Sequence, residues 1–184
     1  MSTNKLKIIS LRRNLRSPIH LMTETVKEFI KTMKHPVKFR MFLFWRLPNA
    51  FFSGVRIREM DEFKCAVSVP YTWFSQNPFK STYFACLAMA AEMSTGAIAM
   101  AYLFKRKPSV SMLVTKLESH YEKKATGITI FTCMDGQQFN DAIELAITSK
   151  EPQSFTARSV GRNKNGEIIA VVLITWSFKV KGER

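Results

Sequence analysis

Metal-binding and disulfide-forming residues are scarce in this sequence. Its 184 residues include three cysteines and three histidines. Cys65, Cys86 and Cys133 are isolated from one another and from the histidines, so neither a metal-ligand spacing nor a disulfide framework emerges. We therefore predict no metal, no other cofactor and a reducing compartment, namely the cytoplasm.

Several functional signatures are missing as well. The seven glycines form no phosphate-binding loop, and neither a Ser-His-Asp nor a Cys-His arrangement of nucleophilic catalysis stands out. The first 23 residues lack the apolar region of about 7 to 15 residues that a secretory signal requires, so export is not expected.

Acidic residues are half as numerous as basic ones, 14 against 28, which gives a net charge of +14. Residues 1–40 carry ten Lys or Arg against only Glu24 and Glu28. Such an excess is typical of a solvated basic face, or of a protein whose partner is a phosphorylated ligand or a membrane surface. No nucleic-acid partner is predicted, because no helix-turn-helix, zinc finger or RNA-recognition motif organises the basic residues.

A long apolar segment, Phe84 to Phe104, carries a single charge, Glu92, and is followed by three cations. Its length permits a membrane span, since about 20 apolar residues cross a bilayer. Its composition opposes one, because seven of the residues are alanine and a carboxylate lies near the middle, where insertion costs about 2.5 to 3.5 kcal/mol. We predict a buried helix and no transmembrane segment.

The segments around this helix alternate polar and apolar residues, as half-buried strands do. "VRIREMDEFKCAVSVPY" predicts two strands joined near Asp61, and "SVSMLVTKLESHYEKK" and "GITIFTC" predict two more. "DGQQFNDAIELAITSKE" predicts a short helix, and Asn165-Gly166 predicts a two-residue hairpin turn between the last two strands. The residues expected to share a buried face are Phe63, Cys65, Val67 and Val69 in the second strand, Leu113, Thr115, Leu117, Ser119 and Tyr121 in the third, and Phe139, Ile143, Leu145 and Ala146 in the short helix.

Two further helices are predicted before Val55. "SPIHLMTETVKEFIKTMKHP" has apolar residues at helical spacing after a Ser17-Pro18 start. "VKFRMFLFWRL" is dense in aromatic residues that either cover a core or rest on a membrane surface. We divide the chain into a basic tail with amphipathic helices, residues 1–54, and a folded domain, residues 55–184.

Six antiparallel strands with one apolar helix long enough to cover them predict an α+β fold in which a curled sheet wraps a central helix. A curled sheet around one long helix is the hotdog fold, and the sequence also resembles the hotdog-fold thioesterase superfamily in particular residues. The stretch "NPFKSTYFACLAMAAEMSTG", residues 77–96, is similar to the start of its central helix. "YFACLAMAAE" and "FTCMDG" are most similar to a thioesterase-like branch of unknown function, related to thioesterases of the phenylacetic acid pathway.

The resemblance implies roles for particular residues. Glu92 would be the nucleophile or general base, Asn77 would contact the substrate carbonyl or the attacking water, and the N–H of Phe84 would stabilise the oxyanion. Enzymes of the related branch have a glycine where this chain has Lys80, and His-Gly-Gly where it has Tyr83, Phe84 and Ala85. Tyr83 would replace the histidine as a hydrogen-bond donor, whereas Phe84 would narrow the groove.

A helical wheel adds an observation that does not depend on the resemblance. At about 100° per residue, the residues on the side of Glu92 are almost all small, and only Met89 is bulky. We predict that this stripe admits a ligand beside the carboxylate; the alternative is close packing, with Glu92 hydrogen-bonded by Thr95 or a lysine. The predicted substrate-binding residues are Tyr83, Phe84, Met89, Thr95 and Gly96.

We therefore expect a cytoplasmic homodimer, or a dimer of dimers, that hydrolyses an acyl thioester carried on coenzyme A or acyl carrier protein. The alternative function is a non-catalytic acyl-binding or interaction module on the same fold.

Overall fold

The structure is a computed structural model that describes the backbone of residues 18–182 and the side chains of residues 24–182. The elements are α1 (Pro18–Lys34), α2 (Pro36–Arg46), α3 (Pro48–Phe52), β1 (Arg56–Met60), β2 (Cys65–Val69), α4 (Phe84–Leu103), β3 (Val110–Tyr121), β4 (Thr129–Cys133), α5 (Gly136–Ser149), β5 (Gln153–Arg162) and β6 (Ile168–Val180), with a short 3-10 helix at Trp73–Ser75.

The six strands form one antiparallel sheet in the order β1-β2-β4-β5-β6-β3. The sheet curls around α4, which packs on its four inner strands, while α1 and α3 cover another side of the same helix. The predicted α+β hotdog architecture, with a curled sheet around one long helix and extra N-terminal helices, is confirmed.

Helix α4 is the element that raised the question of a membrane span. It is long and apolar enough to cross a bilayer, but 67% of its most apolar window is buried inside the protein. Only one stripe of its surface, which includes Ala85, Ala88, Met89 and Glu92, stays partly open to solvent. The prediction of a buried helix is therefore correct.

The predicted position of Phe63 in a strand is wrong. The carboxylate of Asp61 accepts hydrogen bonds from the backbone N–H groups of Phe63 (2.8 Å) and Lys64 (2.9 Å), which fixes these residues in a turn. Strand β2 therefore begins at Cys65, and the Phe63 side chain is exposed.

The predicted buried face of β3 is also partly wrong. The pairing of β3 with β6 shifts between Val114 and Lys116, so Thr115 is the extra residue of a β-bulge. Because a bulge reverses the alternation, Val114 and Leu117 face the same side as the buried residues of β6, and Leu113 lies on the outer side, exposed.

The remaining elements agree with prediction in most residues. Helix α1 buries Val26, Phe29 and Met33, whereas Ser17 and the side chains of Ile19 and Met22 lie outside the described part of the chain. Helix α5 buries three of its four predicted residues, but Leu145 is exposed. The last two strands form the predicted hairpin, but the two-residue turn at Asn165-Gly166 is wrong: residues 163–167 connect the strands, and only Gly166 of the pair has a positive φ, of +80°.

Candidate functional site

The start of α4 is fixed by hydrogen bonds to two other parts of the chain. The backbone N–H of Tyr83 donates to the carbonyl of Ser75 (2.7 Å), and both the N–H (2.8 Å) and the hydroxyl (3.1 Å) of Thr82 donate to the carbonyl of Ala125. Within the described residues, the N–H groups of Phe84 and Ala85 have no acceptor. Such free donors at a helix start stabilise negative charge.

Asn77 organises the loop that leads into α4. Its side-chain carbonyl accepts hydrogen bonds from the N–H of Phe79 (3.0 Å) and from the N–H (3.3 Å) and hydroxyl (3.2 Å) of Ser81. The amide NH2 group has no acceptor among the described residues. Asn77 therefore combines a structural carbonyl with a donor that is free to meet a carbonyl oxygen or a water.

Lys80 adopts the left-handed backbone conformation, with a φ of +57°. It occupies the position at which the related thioesterases have glycine. A side chain is disfavoured in this conformation because Cβ approaches the following carbonyl. The loop therefore keeps the backbone conformation that suits glycine.

Replacing Lys80 by glycine should stabilise the protein. The relief of backbone strain, about 1 to 2 kcal/mol, exceeds the added entropy of a glycine in the unfolded chain, about 0.5 to 1 kcal/mol. We expect Lys80→Gly to raise the free energy of unfolding by up to about 1 kcal/mol in urea denaturation, and Lys124→Gly, outside this conformation, not to raise it. Equal or lower stability of Lys80→Gly would show that the loop is not strained.

Glu92 lies two turns further along α4, at a second opening. Its side chain lines a cavity of about 220 Å³ together with Met89 and Met93 of the same helix. The opposite wall comes from the end of α2 and the start of α3, namely Arg46, Leu47, Pro48, Asn49 and Ala50. The cavity thus places a carboxylate between the central helix and the N-terminal helices.

The Glu92 carboxylate has no internal partner within the described residues. No hydrogen bond or ion pair reaches it there, and burial raises its pKa from the ordinary value of 4.5. Thr95, which we considered as a partner, donates its hydroxyl to the backbone carbonyl of Glu92 (2.9 Å) instead. A partly desolvated carboxylate without a donor is a stronger base than one in water.

Gly96 and Thr95 lie beneath Trp176 of β6. The indole N–H of Trp176 donates to the Thr95 hydroxyl (3.0 Å). A Cβ on Gly96 would lie 3.1 Å from both a carboxylate oxygen of Glu92 and the Trp176 ring. The absence of a side chain at Gly96 therefore lets the indole ring and the carboxylate approach each other.

The predicted site residues surround two openings on one side of α4. Asn77, Tyr83 and Phe84 line a cavity of about 570 Å³ that also contacts the end of β3, whereas Met89 and Glu92 line the smaller one. The partly exposed Ala85 and Ala88 lie between the two openings on the same stripe. Thr95 and Gly96 are fully buried behind Glu92.

Two neighbours of Glu92 were not predicted. Arg46 shares its cavity and Trp176 packs against the adjacent glycine. Trp176 is 81 positions from its hydrogen-bond partner Thr95 in the sequence, so nothing local indicates the contact. Arg46 stands out in the sequence as a charge at the end of an aromatic segment. It is far from Glu92 in the sequence, so the sequence does not indicate that the two residues share a cavity.

Comparison with protein families identifies the class of the chain. The profile of the family described as "Domain of unknown function (DUF4442)" matches residues 38–178. The chain belongs to this family, and the match begins within α2. No curated protein matches the sequence.

Solved structures give the same fold. A protein of unknown function from Pseudomonas aeruginosa, described as a probable thioesterase, is 15% identical, with a TM-score of 0.68 over 82% of this chain and 99% of its own. A putative thioesterase from Shewanella oneidensis (8% identity, TM-score 0.63, 83% and 99% coverage) and a thioesterase from Haemophilus influenzae (11%, 0.59, 80% and 92%) are also similar. At these identities the likenesses establish a thioesterase-like hotdog fold.

The raised pKa of Glu92 predicts how stability depends on pH. The folded state favours the neutral form of Glu92. The stability that this form contributes is fully present below pH 4.5, the ordinary pKa of the group, and is lost as the pH rises through the folded pKa. Relative to Glu92→Gln, the wild type should therefore lose free energy of unfolding between pH 4.5 and neutrality. Urea denaturation of both proteins across this range measures the difference, and a constant difference would contradict the desolvation of Glu92.

Proposed function

We propose that the protein hydrolyses an acyl thioester, and that Glu92 acts as the nucleophile or as the base that activates water. The observation that carries the proposal is the Glu92 carboxylate itself, which is partly desolvated, lacks an internal donor and lines an open cavity. A structural glutamate in such a position would be expected to have a partner.

The small residues along one side of α4 leave room for a substrate. Ala85 and Ala88 offer no side chain beyond Cβ, so a thioester can lie along the helix between the two openings. Its carbonyl would approach the free N–H groups at the start of α4 and the amide NH2 of Asn77, while Met89 contacts the acyl group. About 12 Å separate Phe84 from Glu92 along the helix axis, at 1.5 Å per residue.

This distance shapes the chemistry of the proposal. If the oxyanion donor is the N–H of Phe84, the carboxylate that acts on the bound thioester is Glu92 of a second copy of the chain, because about 12 Å within one helix is too far for direct attack or for activation of a single water. Thr95 and Gly96 support Glu92 from behind by holding Trp176 in place. Phosphate groups of coenzyme A or of acyl carrier protein suit the excess of basic residues.

One observation favours a non-catalytic acyl-binding module instead. Phe84, at the first position of α4, is exposed and packs against Tyr83 with their ring centroids 4.8 Å apart. The Phe84 ring occupies a position at which the resemblance implies a glycine beside the oxyanion donors. A ligand would then bind along α4 without its carbonyl reaching the helix start.

A panel of acyl-CoA and acyl carrier protein thioesters separates the two functions. Thiol release measures hydrolysis, and calorimetric titration with the corresponding thioether analogues, which lack the carbonyl reactivity of a thioester, measures binding. Hydrolysis above the buffer rate supports the thioesterase. Binding of an analogue with no hydrolysis of its thioester supports the acyl-binding module.

We also propose that the protein forms a cytoplasmic homodimer through the outer edge of β3. This 12-residue strand is at the end of the sheet, and Leu113 and Leu117 are exposed on its two faces. Hotdog sheets commonly join edge to edge across a two-fold axis, and exposed apolar edge strands favour such pairing. Residues near the start of α4 would then lie close to the partner.

Light scattering after size-exclusion chromatography tests the dimer. The wild type should have the mass of two chains or of four, and Leu113→Glu/Leu117→Glu should shift it toward one chain because the charges oppose burial of the edge. Met134→Glu, an exposed apolar residue before α5, is the matched control and should keep the wild-type mass. A monomeric wild type would contradict the proposal.

A further inference from the structure

Helix α2 is apolar on two opposite faces. Phe39 and Leu43 are buried in the core, whereas Val37, Met41 and Trp45 are exposed, Trp45 by 75%. At about 100° per residue, the exposed residues fall within an arc of about 100° on the outer side. The outer apolar stripe has no partner among the described residues, so it fits a further apolar partner.

The exposed side chains of α2 continue into a larger surface. Ring contacts join Trp45, Phe44, Phe51, Phe52, Phe74 and Trp73 in that order, with centroid separations from 4.9 to 5.7 Å. Trp73 is also 75% exposed. We call this surface the aromatic face and define it by its exposed residues, Val37, Met41, Phe44, Trp45, Phe52, Trp73 and Phe74. Contiguous apolar surfaces of this kind mark interaction sites.

The segments that build the aromatic face carry only positive charges. Residues 29–58 contain seven Lys or Arg and no Asp or Glu, and residues 63–91 contain no acid either. Arg40 stacks on the Phe51 ring, 3.8 Å from its centroid. Burial and the neighbouring guanidinium of Arg56 lower the pKa of Arg40, so these two cations are close enough to repel each other.

We propose that the aromatic face rests on an anionic lipid bilayer. Trp45 and Trp73 would lie at the depth of the headgroups, where amphipathic rings are favoured. A groove of about 440 Å³ lined by Val37, Met41, Phe44 and Phe51 would admit part of an acyl chain. Lys38 and Arg40 flank the exposed side of α2 and would meet lipid phosphates, as in helices that lie in the membrane interface.

Charge argues against the other two occupants. A second copy docked by two-fold symmetry would bring the same cations face to face with no acid to compensate them. The N-terminal segment of the chain is no better suited, because residues 1–17 carry five Lys or Arg and no acid. An anionic surface is the partner that complements both the rings and the charges.

The aromatic face lies next to the Glu92 cavity. Arg46 and Leu47, which wall the Glu92 cavity, directly follow Trp45 at the end of α2. Docking of the aromatic face therefore holds the Glu92 cavity beside the bilayer.

Sedimentation with vesicles tests the proposal on the purified full-length chain. The protein should pellet with vesicles of phosphatidylcholine mixed with phosphatidylserine, bind weakly to phosphatidylcholine alone, and be released by high salt. Met41→Ser/Trp45→Ser should weaken binding at least about tenfold, because both side chains lose their burial in the interface. Lys38→Gln should weaken it by about fivefold.

Matched variants on another side of the protein control for the change in composition. Met134→Ser/Leu145→Ser removes two exposed apolar side chains near α5, and Lys150→Gln/Lys164→Gln removes two exposed lysines. Both should bind vesicles as the wild type does. Thiol release from a thioester in solution, without vesicles, should be unchanged in Met41→Ser/Trp45→Ser, so failure of this proposal is distinct from failure of the proposed function.

Three results would overturn the proposal. The first is equal binding to neutral and anionic vesicles, or no binding to either. The second is unchanged vesicle binding by Met41→Ser/Trp45→Ser. The third is a smaller mass of that variant in the absence of lipid, since it would show that a second copy of the chain covers the aromatic face.

Discussion

Glu92→Gln is expected to reduce thioester hydrolysis by at least about a hundredfold, the lower range for the loss of a general base. Glutamine preserves the size of the side chain but cannot act as a base or a nucleophile at neutral pH. Because the carboxylate has no internal hydrogen-bond donor within the described residues, the substitution breaks no such contact. Binding of a thioether analogue should therefore change little, and the melting temperature at neutral pH should not fall, because the neutral amide avoids the cost of a desolvated charge.

The matched control is Glu62→Gln, a half-buried glutamate in the turn between β1 and β2, away from the Glu92 cavity. It should hydrolyse thioesters at the wild-type rate. If Glu92→Gln instead lost about 1 to 3 kcal/mol of stability, Glu92 would be a structural residue with a partner. Unchanged hydrolysis in a stable Glu92→Gln variant would remove the residue from the mechanism and favour the acyl-binding module.

Gly136→Ala should have the largest effect on stability among the simple glycine substitutions. Gly136 is the first residue of α5, and its N–H donates to the carbonyl of Phe63 (2.9 Å). A Cβ there would overlap the carbonyl oxygen of Glu62 and the Cα of Phe63, which are backbone atoms that cannot rotate away. We expect a loss of about 3 kcal/mol in the free energy of unfolding, at the upper end of overpacking costs.

A glycine-to-alanine substitution in a helix normally stabilises a protein by about 1 kcal/mol. Gly136→Ala is expected to do the opposite. Gly127→Ala is the control, since nothing lies within 4 Å of a Cβ at that position, and it should change stability by no more than about 0.5 kcal/mol. Denaturant unfolding of the two variants measures both values. A Gly136→Ala protein as stable as the wild type would show that the turn at Phe63 can move to make room for the added methyl group.

The order of the elements could be predicted because each rests on a local pattern. A single apolar run of helical length and six alternating segments leave one arrangement that covers every apolar face. The errors have local causes that composition does not reveal. Asp61 accepts two backbone hydrogen bonds and replaces a strand by a turn at Phe63, and one extra residue at Thr115 reverses the faces of β3.

The candidate site was less predictable than the fold. The carboxylate and the small residues beside it share one helix, so their common face followed from helical periodicity alone. Arg46, which walls the cavity, and Trp176 are both distant from Glu92 in the sequence. They reach Glu92 only because α2 and β6 pack on α4. The separation between Asn77 and Glu92 likewise depends on how the loop at Lys80 enters the helix.

The pH dependence of kcat/KM for thioester hydrolysis tests the central claim most directly, because it reports the titration of the essential group in the free enzyme. Burial raises the pKa of Glu92 above 4.5, and the reactive form is the carboxylate. We predict that kcat/KM rises with pH through a single pKa above 4.5, and that the stability difference between the wild type and Glu92→Gln levels off above that same pKa. A profile without such a rise, or one that persists unchanged in Glu92→Gln, would contradict a desolvated Glu92 as the group that performs the hydrolysis.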